Sequence, residues 1–287
     1  MRTLFNLLFV FAFPILLCGQ NTAKTIGSAE QLIEIIIEKT GADEVINTVD
    51  VIKEGNPHTK VKGIVTCMFA TMDILQKAVE KNCNLIITHE PLYYNHLDAS
   101  EQFENDPVYL EKKKFINDNG LVVWRFHDYI HRMKPDGIIS GMAEKLGWEK
   151  NQNKDNPYKF AFPKMTLVDL LKGMKDTFPE NGFHVVGDST IHVSNVVMVP
   201  GASGTMAQRG QLRLPDVDVV IAGEVPQWET YEYVRDAVSQ GIQKAIVFIG
   251  HIDSEESGMK FCADWLSEFV TNIPIHFISC GSSYWSY

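Results

Sequence analysis

The stretch "GIVTCMFATMDILQKAVEKNCNLIITHEPLYY", residues 63–94, changes its period twice. Its first part, within "VKGIVTCMFA" (61–70), is a short apolar run that reads as a strand. Residues 71–83, "TMDILQKAVEKNC", place apolar side chains at helical spacing. "LIIT" is a second apolar run, and it halts on His89, Glu90 and Pro91. Strand, helix and strand in about thirty residues make a β-α-β unit, so the two strands run parallel. An imidazole and a carboxylate stand where the second strand stops. In an open α/β sheet that end of the strand is where ligands bind.

The alternation continues on both sides. "SAEQLIEIIIEKTG" (28–41) is a helix with Ser28 as N-cap and Gly41 as its stop. "PVYLEKKKFINDNG" (107–120) is a helix, "LVVWRFHD" (121–128) a strand and "GIISGMAEKLGW" (137–148) a helix. Residues 149–215 are less regular. "NQNKDNPYKF" is a polar connector, "MTLVDLLKGMKDTF" (165–178) a helix, and 183–205 two short strands running into a Gly/Ser loop. "VPGASGTMAQRG" (199–210) reads as a plain surface loop, with a lid as the other reading. The pattern resumes with strand 217–225, helix 228–241, strand 244–251, helix 257–270 and a last strand in "IPIHFIS" (273–279). The expected class is α/β, with mostly parallel sheets flanked by helices. One part is expected to comprise about 27–148 plus 216–287, with 149–215 as a less regular middle segment.

With 287 residues and 45% hydrophobic content, the chain can bury a sizeable core. Its formal charge is -10, and no basic block follows residue 2. Phosphate backbones and anionic membranes are recognised through clustered Lys and Arg, so nucleic acid is not an expected partner. Residues 1–19 read as a signal peptide: Arg2, then "LFNLLFVFAFPILLC", then a small and polar exit. The expected product is an exported, periplasmic or extracellular protein starting at Gln20, with no integral membrane span after cleavage. A lipid anchor through Cys18 is the minority reading, since Leu17 is bulky at the position before it. The other cysteines, Cys67, Cys83, Cys262 and Cys280, lack metal-type spacing and read as scattered buried thiols.

Three strands end on metal-type ligands. "LIITHE" delivers His89 and Glu90; "LVVWRFHDYIH" delivers His127, Asp128 and His131; "KAIVFIGHIDSEE" delivers His251, Asp253, Glu255 and Glu256. Imidazole with carboxylate suits borderline divalent ions such as zinc, manganese, iron or nickel, and the absence of Cys from these windows argues against a thiolate site. A lone His at a strand end is commonly only a hydrogen-bonded residue. Three separate segments ending alike point to one shared site.

These blocks resemble the Nif-three-like dinuclear-metal hexameric protein family, whose members are also labelled type-two homologues of GTP cyclohydrolase one. The likeness runs from about residue 30 to the end. It rests on residues 63–94, on "FHDYIHRMKPDGIISGMAEKLGW" and on "AGEVPQWETYEYVRDAVSQGIQKAIVFIGHIDSEESG". The resemblance implies a two-lobed fold, a toroidal homohexamer and two divalent ions per chain. Its Thr-His-His-Pro motif falls on Thr88, His89, Glu90 and Pro91, so Glu90 stands in place of a His. Its His-x-x-x-Asp segment falls on His127 and His131, so His131 stands in place of an Asp. His251 and Glu255 are unchanged. The implied ligands are therefore His89, Glu90, His131, His251 and Glu255, a reciprocal exchange that leaves three imidazoles and two carboxylates. Asp128 competes with His131. Glu224 and His127 are candidate acid/base residues, and Asp253 and Glu256 are read as solvated. Two divalent ions against two carboxylates leave a positive surplus that can draw a small anionic substrate. Hydrolysis of a phosphoester or nucleotide-like compound is the expected chemistry. The alternative is a non-catalytic metal-binding or scaffold protein.

Overall fold

The computed structural model describes residues 27–178 and 182–282. The signal-peptide segment and Cys18 lie outside these residues. Among the described residues no helix is long and apolar enough to cross a membrane.

Helix α1, Ala29–Thr40, opens the described chain, with Ser28 accepting from the Gln31 amide and Gly41 closing it at φ 65°. The first sheet is built from β1 (Ile52–Glu54), β2 (Ile64–Cys67), β3 (Leu85–Thr88), β4 (Val122–Arg125) and β10 (Ile275–Phe277). Its order is β1-β4-β3-β2-β10. All neighbours pair parallel except β1, which runs antiparallel along β4 at the edge. Every residue of β2, β3 and β4 is buried, as expected for parallel strands covered on both faces. Helices α2 (Met72–Glu80) and α3 (Pro107–Asp118) link successive strands. Thr71 caps the first through its side chain, and Asp106 with Pro107 starts the second.

The second sheet has order β5-β7-β8-β9-β6, from β5 (Lys159–Thr166), β6 (His184–Val186), β7 (His192–Val199), β8 (Val219–Ala222) and β9 (Ala245–Phe248). β7, β8 and β9 are parallel, and antiparallel β5 and β6 close the two edges. Sheet membership thus divides the chain differently from the expected 27–148 plus 216–287. β8 and β9 belong with the 159–199 strands, and from the C-terminal part only β10 returns to the first sheet. Strand order within a parallel sheet depends on crossover connections, which periodicity does not record.

Between the sheets run α5 (Gly137–Leu146) and α9 (His251–Ser267). Ile138 of α5 packs into the core of the first sheet, with Met259, Cys262 and Leu266 of α9, while Ile139, Met142 and Ala143 enter the core of the second. Glycines allow this close crossing: a Cβ on Gly141 would lie 2.3 Å from the Ser257 carbonyl oxygen.

Two local expectations need correction. Residues 199–210 are not one loop: β7 ends at Val199, and a helix α7, Gly204–Leu212, follows. Gly201, Ser203, Gly204 and Gly210 disguise it, yet Thr205, Gln208 and Leu212 share a buried face. The connector before the 165–178 helix contains β5, hidden by Pro163, which an edge strand with a register shift between Ala161 and Met165 tolerates. The helix itself, α6, covers Leu167–Lys175. All four described cysteines are free thiols, with only Cys280 partly exposed.

Candidate metal centre

Each ligand-type side chain sits at the carboxyl end of a parallel strand or in the turn after it. His89 and Glu90 follow β3, His127 follows β4, and His131 ends the single turn α4 (Asp128–His131). Asp50 fixes that turn, accepting from the amides of His127, Asp128 and Tyr129 at 2.8, 2.9 and 2.9 Å. His251 starts α9 after β9, so Glu255 four residues on lies above it on one face. The side chains meet in a cavity of about 930 Å³ between the sheets, also lined by Phe69, Tyr94, His96, Lys112 and Tyr158.

Four imidazoles share one arrangement: the Nδ1 of each lies against an oxygen. His89 Nδ1 is 3.2 Å from the Phe126 carbonyl, His127 Nδ1 is 3.0 Å from Asp128, His131 Nδ1 is 2.9 Å from Asp136, and His251 Nδ1 is 2.7 Å from Glu224. An imidazole anchored this way keeps its Nε2 for a ligand, as outer partners do in metal sites. His251 Nε2 lies 3.1 Å from Glu90 and 3.0 Å from Glu255, and His89 Nε2 lies 3.5 Å from Glu255. His89 is 0% exposed, and its Nε2 has no hydrogen-bond partner. A buried orphan aimed at a carboxylate is costly unless something fills the gap. Ligand atoms of His89, His127 and His131 lie within 4.8 Å of one another, and so do those of His89, Glu90 and Glu255. The donor set, nitrogen and carboxylate oxygen without thiolate, fits a divalent ion.

The two ends of the cluster differ in charge. Burial works against the charge on His251, but hydrogen bonds from its Nε2–H to Glu255 and Glu90, with their negative charge, outweigh it and push its pKa up to about 11. Burial raises and the bond to His251 lowers both carboxylates, with a net depression at Glu255 and Glu90. His127 goes the other way: burial, then the neighbouring His89, pushes it from 6.5 down to about 4. In metal-free protein the unfolded chain therefore takes up the His127 proton before the folded chain does. Stability should fall as pH drops from about 6.5 to about 4. Over pH 4.5–6.5 the raised His251 and the depressed carboxylates contribute constantly. A melting-temperature profile recorded in chelator is expected to slope there, and His127→Asn to flatten it. An unchanged slope in the variant would assign the effect elsewhere.

The structure brings His89, Glu90, His131, His251, Glu255 and His127 together. Asp128 touches the cluster only through His127: one oxygen holds that ring, and the other accepts from Thr48 Oγ1 at 2.9 Å and the Val49 amide at 3.1 Å. Glu224, exposed at 58% of its side chain, touches the cluster only through His251. Glu256 is not simply solvated, since it accepts from the Ser279 hydroxyl at 2.7 Å and the Cys280 amide at 2.5 Å. Two contributors went unread in the sequence. His96 lines the cavity from the loop after Pro91. Arg125 is buried behind the site, 3.3 Å from Glu90, and donates to the carbonyls of His89 and His96 at 3.1 and 2.5 Å. An arginine in the apolar run "VVWRF" was its signal, because a buried guanidinium requires partners.

Residues 25–283 match the model of the DUF34/NIF3 (NGG1p interacting factor 3) family. The chain belongs to that family. A GTP cyclohydrolase 1 type 2 homolog of Clostridium acetobutylicum is 26% identical over 212 residues, 70% of this chain and 75% of the relative. Two solved structures share the fold. A Staphylococcus aureus hypothetical protein superposes with TM-score 0.71 at 15% identity, over 91% of this chain and 99% of the other. A Bacillus cereus protein related to NIF3 superposes with TM-score 0.69 at 15% identity, over 90% and 99%. The NIF3 membership accords with the resemblance carried by residues 63–94 and 222–258.

Proposed function

We propose that this NIF3 protein binds a pair of divalent ions at the cleft between its sheets and hydrolyses a small anionic, phosphoester or nucleotide-like substrate. The observation that carries the reading is the set of four imidazoles with anchored Nδ1 atoms facing two buried carboxylates. His127 and His131 make a nitrogen-rich end, and Glu90, Glu255 and His251 a carboxylate-rich end, with His89 between them. His127 joins the five ligands carried over from the resemblance, because its ligand atom and those of His89 and His131 all lie within 4.8 Å of one another.

A bound pair of ions would lower the pKa of a shared water and clamp an oxyanion. The protein's own groups do the rest. Glu224 keeps one carboxylate oxygen clear of His251, at the mouth, where it can carry a proton to or from a leaving group. The positive surplus of two ions over two carboxylates is offset by the outer carboxylates Asp128, Asp136 and Glu224, which outnumber the single guanidinium of Arg125. Attraction of an anion therefore needs a cation on the cavity wall. Lys112 stands there, 6% exposed, with its pKa pushed by burial down to about 8. Export and a homohexamer remain part of the proposal. The first rests on residues 1–19 and the second on family resemblance.

The test is elemental analysis of the protein starting at residue 20, with Glu90→Ala and His131→Ala beside it. Near two ions per chain, falling in both variants, is the expected result and opens a screen of phosphoesters. One ion or none in the unmutated protein would overturn the dinuclear reading. Full loading without turnover on any phosphoester would favour the metal-binding or scaffold role.

A further inference from the structure

We propose that Asp136 is a positioning residue of the metal centre, which fixes the proton of His131 on Nδ1 and so presents Nε2 to an ion; this rests on the metal-binding reading above. Asp136 is 3% exposed, and both its oxygens are committed. Oδ1 caps α5, accepting from the amides of Ile138 and Ile139 at 2.8 and 3.0 Å. Oδ2 accepts from His131 Nδ1 at 2.9 Å and from the hydroxyl of Tyr158. An ionised carboxylate only accepts, so the His131 nitrogen facing it must donate. The other nitrogen then carries the lone pair, and the ring stands beside His89 and His127 at centroid distances of 5.1 and 5.2 Å.

The surroundings explain why the ring needs this support. His131 and Tyr158 line the metal cavity and also a second cavity of about 1050 Å³ on the other side, bordered by Arg132, Lys134, Glu149 and Asp155. The ring is reached from two cavities, and its hydrogen bond to Asp136 fixes which nitrogen faces the metal side. Tyr158 enters from the segment before β5, so the Asp136 carboxylate is tied to both sheets, and burial keeps the tyrosyl hydroxyl protonated as a donor.

The helix cap makes a diagnostic substitution available. In Asp136→Asn the amide oxygen must take the Oδ1 place, because two backbone N–H groups point at it. The amide NH2 is then turned on His131, which must accept through Nδ1 and carry its proton on Nε2, the wrong nitrogen for binding. Asp136→Ser keeps a capping oxygen but leaves His131 free to choose its tautomer. The measurement is cobalt(II) affinity and visible absorption for the unmutated protein and both variants, with melting of the metal-free forms alongside. The expected order of affinity is unmutated, then Ser, then Asn, with Asn lower by about 10–100-fold and its metal-free melting unchanged. A merely structural role ranks the near-isosteric Asn above Ser. Asn binding as tightly as Ser, or tighter, would overturn the inference and leave the metal reading intact. An unmutated protein that takes no cobalt would overturn both. If Asn does not fold, Ser carries the test alone, through a drop in cobalt affinity at a temperature where the metal-free variant is still folded; no drop would overturn the inference.

Discussion

Arg125→Met is expected to lower the stability of the metal-free protein by about 3–5 kcal/mol, the usual cost of stranding one partner of a buried ion pair. That corresponds to roughly 6–20 °C in melting temperature at 2–4 °C per kcal/mol. The guanidinium side chain is 0% exposed, and the rest of β4 around it is buried as well. Its loss leaves Glu90 at 3.3 Å with only His251 as a counter-charge, Asp98 at 3.8 Å with only Lys53, and the carbonyls of His89 and His96 without a donor. Methionine fills much of the volume, so a cavity contributes little. The loop after Pro91, which carries His96 and Tyr94 to the cavity, should loosen first. Melting and urea unfolding in chelator measure the effect. The double variant Glu90→Met/Arg125→Met should recover part of the loss, because the carboxylate facing Arg125 goes with it while His251 keeps Glu255. A single variant that melts within about 2 °C of the unmutated protein, below the smallest shift expected, would sink this account.

The α/β class was legible because the strands are apolar on both faces and short, and the helices carry their caps in the sequence. Ser28, Thr71 and Asp106 cap where the pattern predicts helix starts. β5 was not legible, since Pro163, Lys159 and Lys164 argue locally against a strand that pairing with β7 imposes. The division into two sheets was likewise out of reach, because β8 and β9 read the same whichever sheet they join. At the site, the strand-end residues were legible as a set because topology carries strand ends to one rim. Their anchors were not. Asp136 is five residues from His131, Glu224 is 27 from His251, and Phe126 offers a backbone carbonyl, which has no residue-type signature.

Those anchors change how the exchange of Glu90 and His131 is understood. By counting ligands alone, the exchange keeps three imidazoles and two carboxylates and moves a negative charge from one end of the site to the other. The outer groups move it back. Glu90 carries Arg125 against one oxygen, so the pair is close to neutral, as an imidazole would be. His131 carries Asp136 against Nδ1, so that pair is close to a single negative charge, as a carboxylate would be. With the proposed pair of ions bound, the field at each would thereby stay near that of the unexchanged motif, while ligand geometry would change. On that reading, selection between metals would follow from nitrogen or oxygen preference at each end rather than from total charge.

Gly201→Ala is expected to empty the carboxylate-rich end of the site although Gly201 is not a ligand. A Cβ there would stand 2.3 Å from Glu255 Oε1 and 2.7 Å from its carboxyl carbon. Glu255 is 4% exposed and has nowhere to retreat, with His251 at 3.0 Å and His89 at 3.5 Å on its other oxygen. The loop cannot easily withdraw either: the Gly201 amide donates to Ser254 Oγ at 3.0 Å, and its carbonyl accepts from the Glu224 amide at 2.8 Å. Its φ of +60° adds about 1–2 kcal/mol of backbone strain for alanine. Gly204→Ala separates the two costs, since Gly204 has φ +80° but nothing within 4 Å of the place its methyl group would take. Both variants should lose some thermal stability. Only Gly201→Ala should lose ions, by about 10–100-fold in affinity if the displaced carboxylate acts as a misplaced ligand. Full ion content in Gly201→Ala would mean that Glu255 has room to move, and the tight packing between loop and carboxylate would then be no part of how the site holds its charge.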